Sequence, residues 1–359
     1  MAITSRHYVP VLRWRMGEYQ ALEKLSDDRK DAVVPLFEIL PPDYDFEQRK
    51  PKKDIDEHLK TFGDRLLKKW GERPALLDAG RLDPTMRMRD GRHPLVALFD
   101  AASALGLRLT PVTTLERDAT YQAAVKQIDD MNLGGAVLRC SLAEALDPDF
   151  DANVAALLAQ LTIGPGAIDL VLDLETPAFK PHDFLVNVVV AALTGASIFA
   201  IARSVTILAT SFPESLADFT RPIQRITRLE WQLYKAVLAA LPGGTRRPGF
   251  GDYGVAALTF AQGDMRFMRG SPNVRYAVDD GWLIARTKRK PGGSNQAYPA
   301  LCGSITSAAE YLGSTYSAGS RYIAQCQVGA VSRGNPTTWK WVGTNHHITK
   351  VVDDLASLP

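Results

Sequence analysis

The sequence of 359 residues predicts a (β/α)8 barrel of the TIM type, because short apolar runs alternate with helical segments along residues 1–260. A strand buried on both faces is a short continuous apolar run, and polar residues cluster where it leaves the core. The run at 168–174 shows this pattern most clearly, since it leads into Asp173, Glu175 and Pro177. Seven such alternations and a weaker eighth fit within about 250 residues, the usual length of a closed barrel.

The apolar runs follow one another in the order expected for barrel strands. They occupy residues 8–12, 33–37, 75–77, 107–112, 135–138, 168–174, 205–209 and 248–251. Helical segments between them include residues 54–70, 95–105, 121–131, 151–161 and 184–200. An open doubly wound sheet is the alternative architecture. No GxGxxG motif follows the first strand, so the dinucleotide-binding form of that sheet loses support.

The alternation stops near residue 260, so we assign residues 1–260 to the barrel and 261–359 to a C-terminal α+β elaboration packed on it. No linker-like tract separates the two parts. A β-hairpin is predicted over 274–285, because Asp280-Gly281 supplies the positive backbone angles of a tight turn. Helices are expected at 298–312 and 351–358.

Composition narrows the class of protein. The formal net charge of +2 does not indicate a general attraction to polyanions, and 46% hydrophobic with 23% charged residues is typical of a globular protein. Cys140, Cys302 and Cys326 form no CxxC pair, which disfavours a disulfide framework or a cysteine zinc site. Residues 1–7 lack a signal-peptide core, and residues 184–200 carry polar side chains. We expect a cytoplasmic protein with no membrane association.

Several short motifs occur in a characteristic order. They are residues 8–12 with Gly17-Glu18, residues 35–38, Gly251-Asp252-Tyr253 and residues 319–322. In this order they resemble the "beta protein" family, whose members occur in phages and bacterial genomes, often near mobile elements. The resemblance spans nearly the whole chain. It implies a part in phage–host conflict and assigns no catalytic residue.

Charged residues follow most of the predicted strands, and the carboxyl ends of barrel strands meet at one mouth. The predicted mouth residues are Arg13, Arg15, Glu38, Asp78, Arg81, Glu116, Arg139, Asp173, Glu175, Ser211 and Asp252. Asp173 and Glu175 alternate along one predicted strand, so their carboxylates should point to the same side. We expect this pair to hold Mg2+ or Mn2+ through its oxygen atoms.

The leading functional hypothesis is that the mouth binds a phosphorylated or otherwise anionic ligand, with metal-dependent phosphoester hydrolysis as its catalytic form. Arginine binds phosphate through two parallel hydrogen bonds, and paired carboxylates bind divalent cations. The expected catalytic residues are Asp173, Glu175, Glu38 and Asp78. The expected ligand-binding residues are Arg13, Arg15, Arg139, Asp252, Tyr253 and Arg321.

Other interpretations of the same residues stay open. Two carboxylates could act as general acid and base on a glycosidic bond, or the mouth charges could only satisfy each other. In the second case we expect a non-catalytic interaction protein of phage defence or counter-defence. Its partner would be a nucleic acid or a protein, contacted by late basic and aromatic residues. These are Arg225, Arg228, Arg246, Arg247, Arg266, Arg269, residues 288–290, Trp282, Tyr322, Trp339 and Trp341.

Three further patterns carry less specific signals. His346 and His347 form the single histidine cluster, and adjacent side chains point in different directions, so a packing or surface role is expected. Ser211 lacks the GxSxG elbow of a hydrolase nucleophile. The glycines of residues 249–254 either cradle a phosphate with backbone amides or only allow a tight turn.

Overall fold

The computed structural model of the protein describes residues 3–219, 222–258, 271–288 and 295–359. Its strands are β1 (Tyr8–Arg13), β2 (Leu36–Glu38), β3 (Tyr44–Asp45), β4 (Lys50–Pro51), β5 (Ala75–Asp78), β6 (Leu109–Thr113), β7 (Ala136–Ser141), β8 (Ile168–Asp173), β9 (Ser204–Ala209), β10 (Ile223–Thr227), β11 (Gly249–Asp252), β12 (Asn273–Val278) and β13 (Gly281–Arg286).

Eight parallel strands close into a barrel, in the order β1-β11-β9-β8-β7-β6-β5-β2. The predicted (β/α)8 fold is therefore confirmed, and each barrel strand coincides with one of the apolar runs. β8 is buried along all six residues, as expected for a strand covered on both faces. Even the weakest run forms a strand, because Gly251 lets the neighbouring backbone come close. A Cβ on Gly251 would lie 2.5 Å from the Val9 carbonyl oxygen.

Helices connect the strands. They are α1 (Met16–Glu23), α2 (Asp27–Asp31), α3 (Ile55–Leu59), α4 (Phe62–Lys69), α5 (Pro94–Ser103), α6 (Ala119–Asn132), α7 (Leu142–Ala145), α8 (Phe150–Leu161), α9 (His182–Gly195), α10 (Ile198–Ile201), α11 (Leu229–Ala240), α12 (Tyr298–Thr306), α13 (Ala318–Gln327) and α14 (Pro336–Ser357), with short 3-10 helices at Pro165–Ala167 and Asn295–Ala297. None of the helices in the described ranges is long and apolar enough to span a membrane.

The chain divides into two compact units. The barrel unit comprises Met1–Trp14, Asp31–Ala209 and Leu233–Asp252, and the second unit comprises Arg15–Lys30, Thr210–Gln232 and Tyr253–Pro359. Residues 15–30 and 210–232, counted with the barrel in the sequence, thus group with the C-terminal residues. The predicted boundary between residues 260 and 261 lies outside the described residues.

The second unit contains a three-stranded antiparallel sheet, β10-β13-β12, with apolar helix faces in its core. The predicted hairpin is confirmed, since β12 and β13 pair antiparallel around Asp279-Asp280. The short helix predicted at 351–358 was wrong in length, because α14 begins at Pro336 and runs for 22 residues. Asn335 caps this helix by accepting a hydrogen bond from the Thr338 amide, and Pro336 occupies its first turn.

Candidate functional site

The mouth of the barrel is organised around Arg139, a residue of β7. Its Nε and Nη2 donate to Oδ2 of Asp173, the last residue of β8, at 2.8 and 2.7 Å. Its Nη1 lies 3.0 Å from Glu38 Oε1 and 3.4 Å from Asp78 Oδ2, at the ends of β2 and β5. Strand β6 separates β7 from β5, and β2 lies one strand further. The guanidinium therefore reaches across strands and ties three strand ends together.

Strand register explains why these carboxylates meet. Glu38 pairs with Asp78 across β2 and β5, and Arg13 pairs with Glu38 across β1 and β2. Residues paired in register on adjacent parallel strands point to the same side of the sheet, and the carboxyl ends of the strands form the mouth. Sequence reasoning found these three strand-end residues, and also Arg139 and Asp173, because each one directly ends an apolar run.

Two arginines from connecting loops complete the network. Arg81 follows β5 and donates to Glu38 from Nε at 2.8 Å and from Nη2 at 3.3 Å. Arg117 follows β6 and donates from Nη2 to both oxygens of Asp78, at 2.9 and 3.2 Å. Its Nη1 donates to the Gly80 carbonyl oxygen at 3.2 Å. Three arginines and three carboxylates thus form one continuous set of ion pairs, which we call the Arg139 network.

The carboxylates of the Arg139 network lie deeper than its guanidinium groups. The side chains of Glu38, Asp78 and Asp173 are between 3% and 6% exposed, whereas those of Arg139, Arg117 and Arg81 are 13%, 22% and 36% exposed. Arginine nitrogens are therefore the groups of the network most accessible to a solute.

The protonation state of Glu38 follows from its surroundings. Burial raises the pKa of Glu38, but the charges of Arg139 and Arg81 and their hydrogen bonds outweigh burial and hold the pKa below its usual value. Tyr121 adjoins the network at Asp78. Its hydroxyl lies 3.4 Å from Asp78 Oδ1 and donates to the Val112 carbonyl oxygen at 3.0 Å. Burial and the charge of Asp78 raise the pKa of Tyr121. At neutral pH the site holds an ionised Glu38 and a neutral phenol.

Two guanidinium nitrogens of the network keep unused donors. Arg81 Nη1 has no hydrogen-bond partner within the described part of the chain, although Nε and Nη2 of the same group are held by Glu38. Arg117 Nε is buried, and it too finds no partner among the described residues. Arg81 Nη1 is thus an unused donor on a partly exposed guanidinium, whereas Arg117 Nε is enclosed by protein atoms.

The geometry corrects the argument that put Asp173 and Glu175 on one side of a strand. β8 ends at Asp173, and Glu175 is exposed with a φ of +53°. Its amide donates to Asp173 Oδ1 at 2.8 Å, so the chain has already turned. Across the described ranges, no group of three or more histidine, cysteine, aspartate or glutamate side chains is placed to hold a metal ion. The Mg2+ or Mn2+ site stays a prediction.

The remaining predicted site residues are not part of the Arg139 network as described. Asp252 is fully buried and accepts a hydrogen bond from the Tyr8 hydroxyl. Arg15, Tyr253 and Arg321 belong to the second unit. The other two members of the predicted mouth set are the exposed Glu116 and Ser211, whose hydroxyl bonds to Glu230 in the second unit.

Sequence reasoning missed Arg117 and Tyr121. Both follow β6, where Glu116 was chosen because it lies closer to the strand end. The available signal was Gly80: a Cβ at this position would lie 1.9–2.0 Å from the Arg117 guanidinium. A glycine two residues after a strand-end aspartate can mark a place where another chain segment approaches closely.

The predicted basic and aromatic surface is only partly a surface: Arg225, Arg246, Arg247 and Lys288 are exposed, but its tryptophans and Arg228 are not. Trp282, Trp339 and Trp341 are buried, and Arg228 is fully buried with Nη1 2.7 Å from Asp354 Oδ2. Aromatic side chains at helical spacing here form the core of the second unit. Arg266, Arg269, Arg289 and Lys290 lie outside the described residues.

The histidine pair has the packing role expected by default. His346 is buried, stacks on Tyr276 with ring centroids 3.7 Å apart, and lies 2.8 Å from the Ala277 carbonyl oxygen through Nε2. Nε2 must therefore carry the proton, and Nδ1 accepts from the hydroxyl of Ser317 or Ser320. Burial lowers the pKa of His346 to about 3.

The fold and the Arg139 network together define a (β/α)8 barrel protein whose mouth is lined by mutually paired arginines and carboxylates. The sequence profile described as Beta protein matches residues 8–353, so the chain belongs to the Beta protein family. It is similar to "Protein beta" of Enterobacteria phage P4, with 22% identity over 366 aligned residues that cover 96% of this chain and 93% of the relative.

Among solved structures, the chain is similar to a mutant tryptophan synthase alpha-subunit from the hyperthermophile Pyrococcus furiosus. The TM-score is 0.38 and the identity 12%, over 71% of this chain and 89% of that protein.

Proposed function

We propose that the mouth of the barrel binds a small anionic ligand, such as a phosphorylated molecule, through Arg81, Arg117 and Arg139. The observation that carries this proposal is that one buried carboxylate, Glu38, holds both Arg81 and Arg139 while Arg81 Nη1 keeps free donors within the described structure. Guanidinium groups fixed in this way need little reordering before they bind a phosphate or carboxylate.

The distribution of charge at the mouth favours the binding of an anion over the binding of a cation. The Arg139 network contains three arginines and three carboxylates, so its formal charge is zero. Since the carboxylates are buried and the arginines partly exposed, an approaching solute meets positive charge first.

The geometry supports binding more than hydrolysis. Each of Glu38, Asp78 and Asp173 accepts hydrogen bonds from arginine, and the lowered pKa of Glu38 makes it a poor proton donor near neutral pH. Metal-dependent phosphoester cleavage through Asp173 and Glu175 remains a separate prediction that needs its own assay.

The same pairing favours the second candidate, a non-catalytic interaction protein of phage–host conflict. A relative from phage P4 and membership of the Beta protein family are compatible with that setting. In this case the mouth charges would only stabilise the barrel, and no small anion would compete for the arginines.

Thermal unfolding distinguishes the two candidates. The protein is heated with inorganic phosphate, pyrophosphate or nucleotides, each with and without Mg2+ or Mn2+. A ligand at 100 times its Kd stabilises the folded state by about 2.7 kcal/mol, so the melting temperature should rise by several degrees. Arg81→Gln should abolish this shift.

The matched control is Arg108→Gln. Arg108 is exposed, directly precedes β6 at the opposite end of the barrel and donates from Nε to the Glu72 carbonyl oxygen. Removing its charge should leave the ligand shift intact. Absence of any shift in the folded wild-type protein would overturn the binding proposal. A metal-dependent part of the shift, lost in Asp173→Ala with Glu175→Ala, would support the metal prediction.

A further inference from the structure

Arg275 of the second unit is partly buried and has no acidic partner among the described residues. Its Nε donates to Asn273 Oδ1 at 3.0 Å, and its Nη1 donates to the Val255 carbonyl oxygen. The guanidinium carbon lies 5.0 Å from the centre of the Phe212 ring. These contacts hold the side chain in place. All of them come from neutral groups, so none balances the positive charge.

Other arginines that are held inside the protein bond to carboxylates. Arg139 bonds to Asp173, and the fully buried Arg228 bonds to Asp354. Burial lowers the pKa of Arg275 to about 10, because removal from water disfavours the charged form. At neutral pH Arg275 nevertheless stays a cation. Since buried charges in proteins are normally paired, Arg275 marks a position where the described structure leaves a charge uncompensated.

A second arginine lies on the same face of the sheet β10-β13-β12. Arg286 pairs directly with Asn273 across β12 and β13, and Arg275 lies two residues further along β12. All three side chains therefore point to one side of the sheet. Arg286 Nη1 donates to the Ala217 and Phe219 carbonyl oxygens at 3.2 and 2.9 Å. Like Arg275, this arginine is held by neutral acceptors.

The acidic residues close in sequence do not neutralise the two arginines. Glu214 and Asp218 are exposed, and neither forms an ion pair with either arginine. Asp279 and Asp280 follow β12 at its other end, where Asp279 pairs with Lys350 at 2.7 Å. Within the described ranges, two arginine charges without a bonded carboxylate thus lie where β12 begins and β13 ends.

Both guanidinium groups keep donors that a ligand can use. Arg275 Nη2 and Arg286 Nε have no acceptor among the described residues, and neither atom is closed off from solvent. Arg286 Nη2 donates to Ser271 Oγ at 3.3 Å, which leaves its second proton. Because the two arginines are diagonal neighbours in the antiparallel pair, their Cβ atoms are roughly 7–8 Å apart. Each is anchored to a different chain segment, so each presents its own edge to a ligand.

We propose that Arg275 and Arg286 bind the two carboxylate groups of a small dicarboxylate. Arginine binds a carboxylate through two parallel N–H···O bonds, and hydrogen bonds between charged groups are stronger than those between neutral groups. A dicarboxylate brings one negative charge to each arginine and so offsets charges that have no ion-pair partner in the described structure. Groups that are already held in place lose little freedom on binding, which increases affinity.

Other ligands match these two arginines less well. Inorganic phosphate carries its charges on one compact centre, whereas the two guanidinium groups are anchored to separate segments of the chain. A neutral ligand would leave both charges unbalanced. The proposal goes beyond anion binding by the Arg139 network and does not depend on it, because Arg275 and Arg286 belong to the second unit.

Isothermal titration calorimetry with succinate tests the proposal. Wild-type protein should bind succinate, and it should bind acetate about tenfold or more weakly, because acetate reaches one arginine at a time. Arg275→Gln and Arg286→Gln should each weaken succinate binding about tenfold or more, since each variant loses one charge-assisted pair. No binding by wild type, or equal affinities for succinate and acetate, would overturn the proposal.

Matched controls separate this site from the barrel mouth. Arg246→Gln removes an exposed arginine that is also held by carbonyl oxygens, those of Ala200 and Ala202. Arg246→Gln and Arg81→Gln should both bind succinate like wild type. Loss of binding in Arg81→Gln alone would place succinate at the mouth and overturn the proposal. Phosphate binding that is as tight as succinate binding and is lost in Arg275→Gln would overturn the assignment to a dicarboxylate.

A second readout needs no variant. Phenylglyoxal modifies accessible arginines, and mass spectrometry of the resulting peptides gives the rate at each one. In wild-type protein, saturating succinate should slow the modification of Arg275 and Arg286 and leave that of Arg246 unchanged. Equal rates with and without succinate at Arg275 and Arg286 would overturn the proposal, even if the glutamine variants fail to fold.

Discussion

The two ends of the barrel use the same type of ion pair in different ways. At the amino end, Arg203 Nε and Nη2 donate to Asp169 at 3.0 and 2.6 Å, and Nη1 donates to the Gly134 carbonyl oxygen at 2.8 Å. Ser204 Oγ also donates to Asp169, at 2.7 Å. All three nitrogens of Arg203 are therefore used, whereas Arg81 at the mouth engages only two of its nitrogens with the described residues.

Position along one strand accounts for part of this difference. Asp169 and Asp173 belong to β8 and lie four residues apart, so strand alternation puts them on the same face. Asp169 pairs with an arginine from the adjacent strand end. Asp173 bonds to Arg139, which two other carboxylates share. The amino-end pair is local to two neighbouring strands, whereas the mouth carboxylates of three strand ends share one arginine.

The largest expected effect comes from removing the arginine at each end. Arg139→Met leaves three buried carboxylates without one of their partners and should destabilise the protein by about 3–5 kcal/mol. Arg203→Met should cost less, because Asp169 alone is affected and keeps its bond from Ser204. Urea unfolding measures both free energies. An equal or larger loss for Arg203→Met would contradict the distinction between the two ends.

The glycines beside the arginines give a second, smaller contrast. Gly80→Ala would place a Cβ against the Arg117 guanidinium and should cost about 1–3 kcal/mol by forcing Arg117 to move. Gly134→Ala is the control, because a Cβ there meets no atom within 4 Å. Its effect should stay within about 0.5 kcal/mol. Differential scanning calorimetry compares the two variants, and equal melting temperatures would refute the expected crowding at Gly80.

The pH dependence of stability tests whether Glu38 is ionised at the mouth of the folded barrel. The folded pKa of Glu38 lies below its usual value of 4.5, so its ionised form contributes stability that is fully present above pH 4.5. This contribution is lost as the pH falls through the folded pKa. The stability difference between wild type and Glu38→Gln should therefore shrink below pH 4.5, by up to about 1.4 kcal/mol per pH unit. Denaturant unfolding across that range measures it, and a constant difference would exclude the ion-paired state.

The smallest change in stability is expected for Arg81→Gln. The Arg81 side chain is 36% exposed, so solvent screens its ion pair and the cost should be about 1 kcal/mol or less. Ligand binding should nevertheless be lost. Unfolding without anions measures the first quantity and the anion-dependent shift measures the second. A large loss of stability together with normal anion binding would mean that Arg81 only supports the barrel.

Much of the barrel could be predicted from the sequence, because buried parallel strands are short, continuous apolar runs that can be recognised directly. Strand-end residues such as Glu38, Asp78 and Arg139 followed from the same pattern. Arg117 could not be predicted in this way, since loop conformation rather than strand periodicity brings it to Asp78. Glu175 was placed wrongly because the pattern does not show where a strand stops.

The C-terminal half was harder to predict for a different reason. Apolar and aromatic side chains such as Trp339 and Trp341 have the same spacing whether a helix is buried or binds a partner. Only tertiary packing decides between these outcomes, and here it buries them. The capping signal of Asn335-Pro336, by contrast, was present in the sequence and would have located the start of α14.

The reach of Arg139 also affects how the barrel moves. One guanidinium joins the ends of β2, β5 and β8 to β7, so none of these ends can separate without breaking bonds to the others. Amide protons near the four strand ends should then exchange with solvent in a single cooperative opening event. In Arg139→Met the same amides should exchange faster and at different rates. The four strand ends would then open separately rather than together.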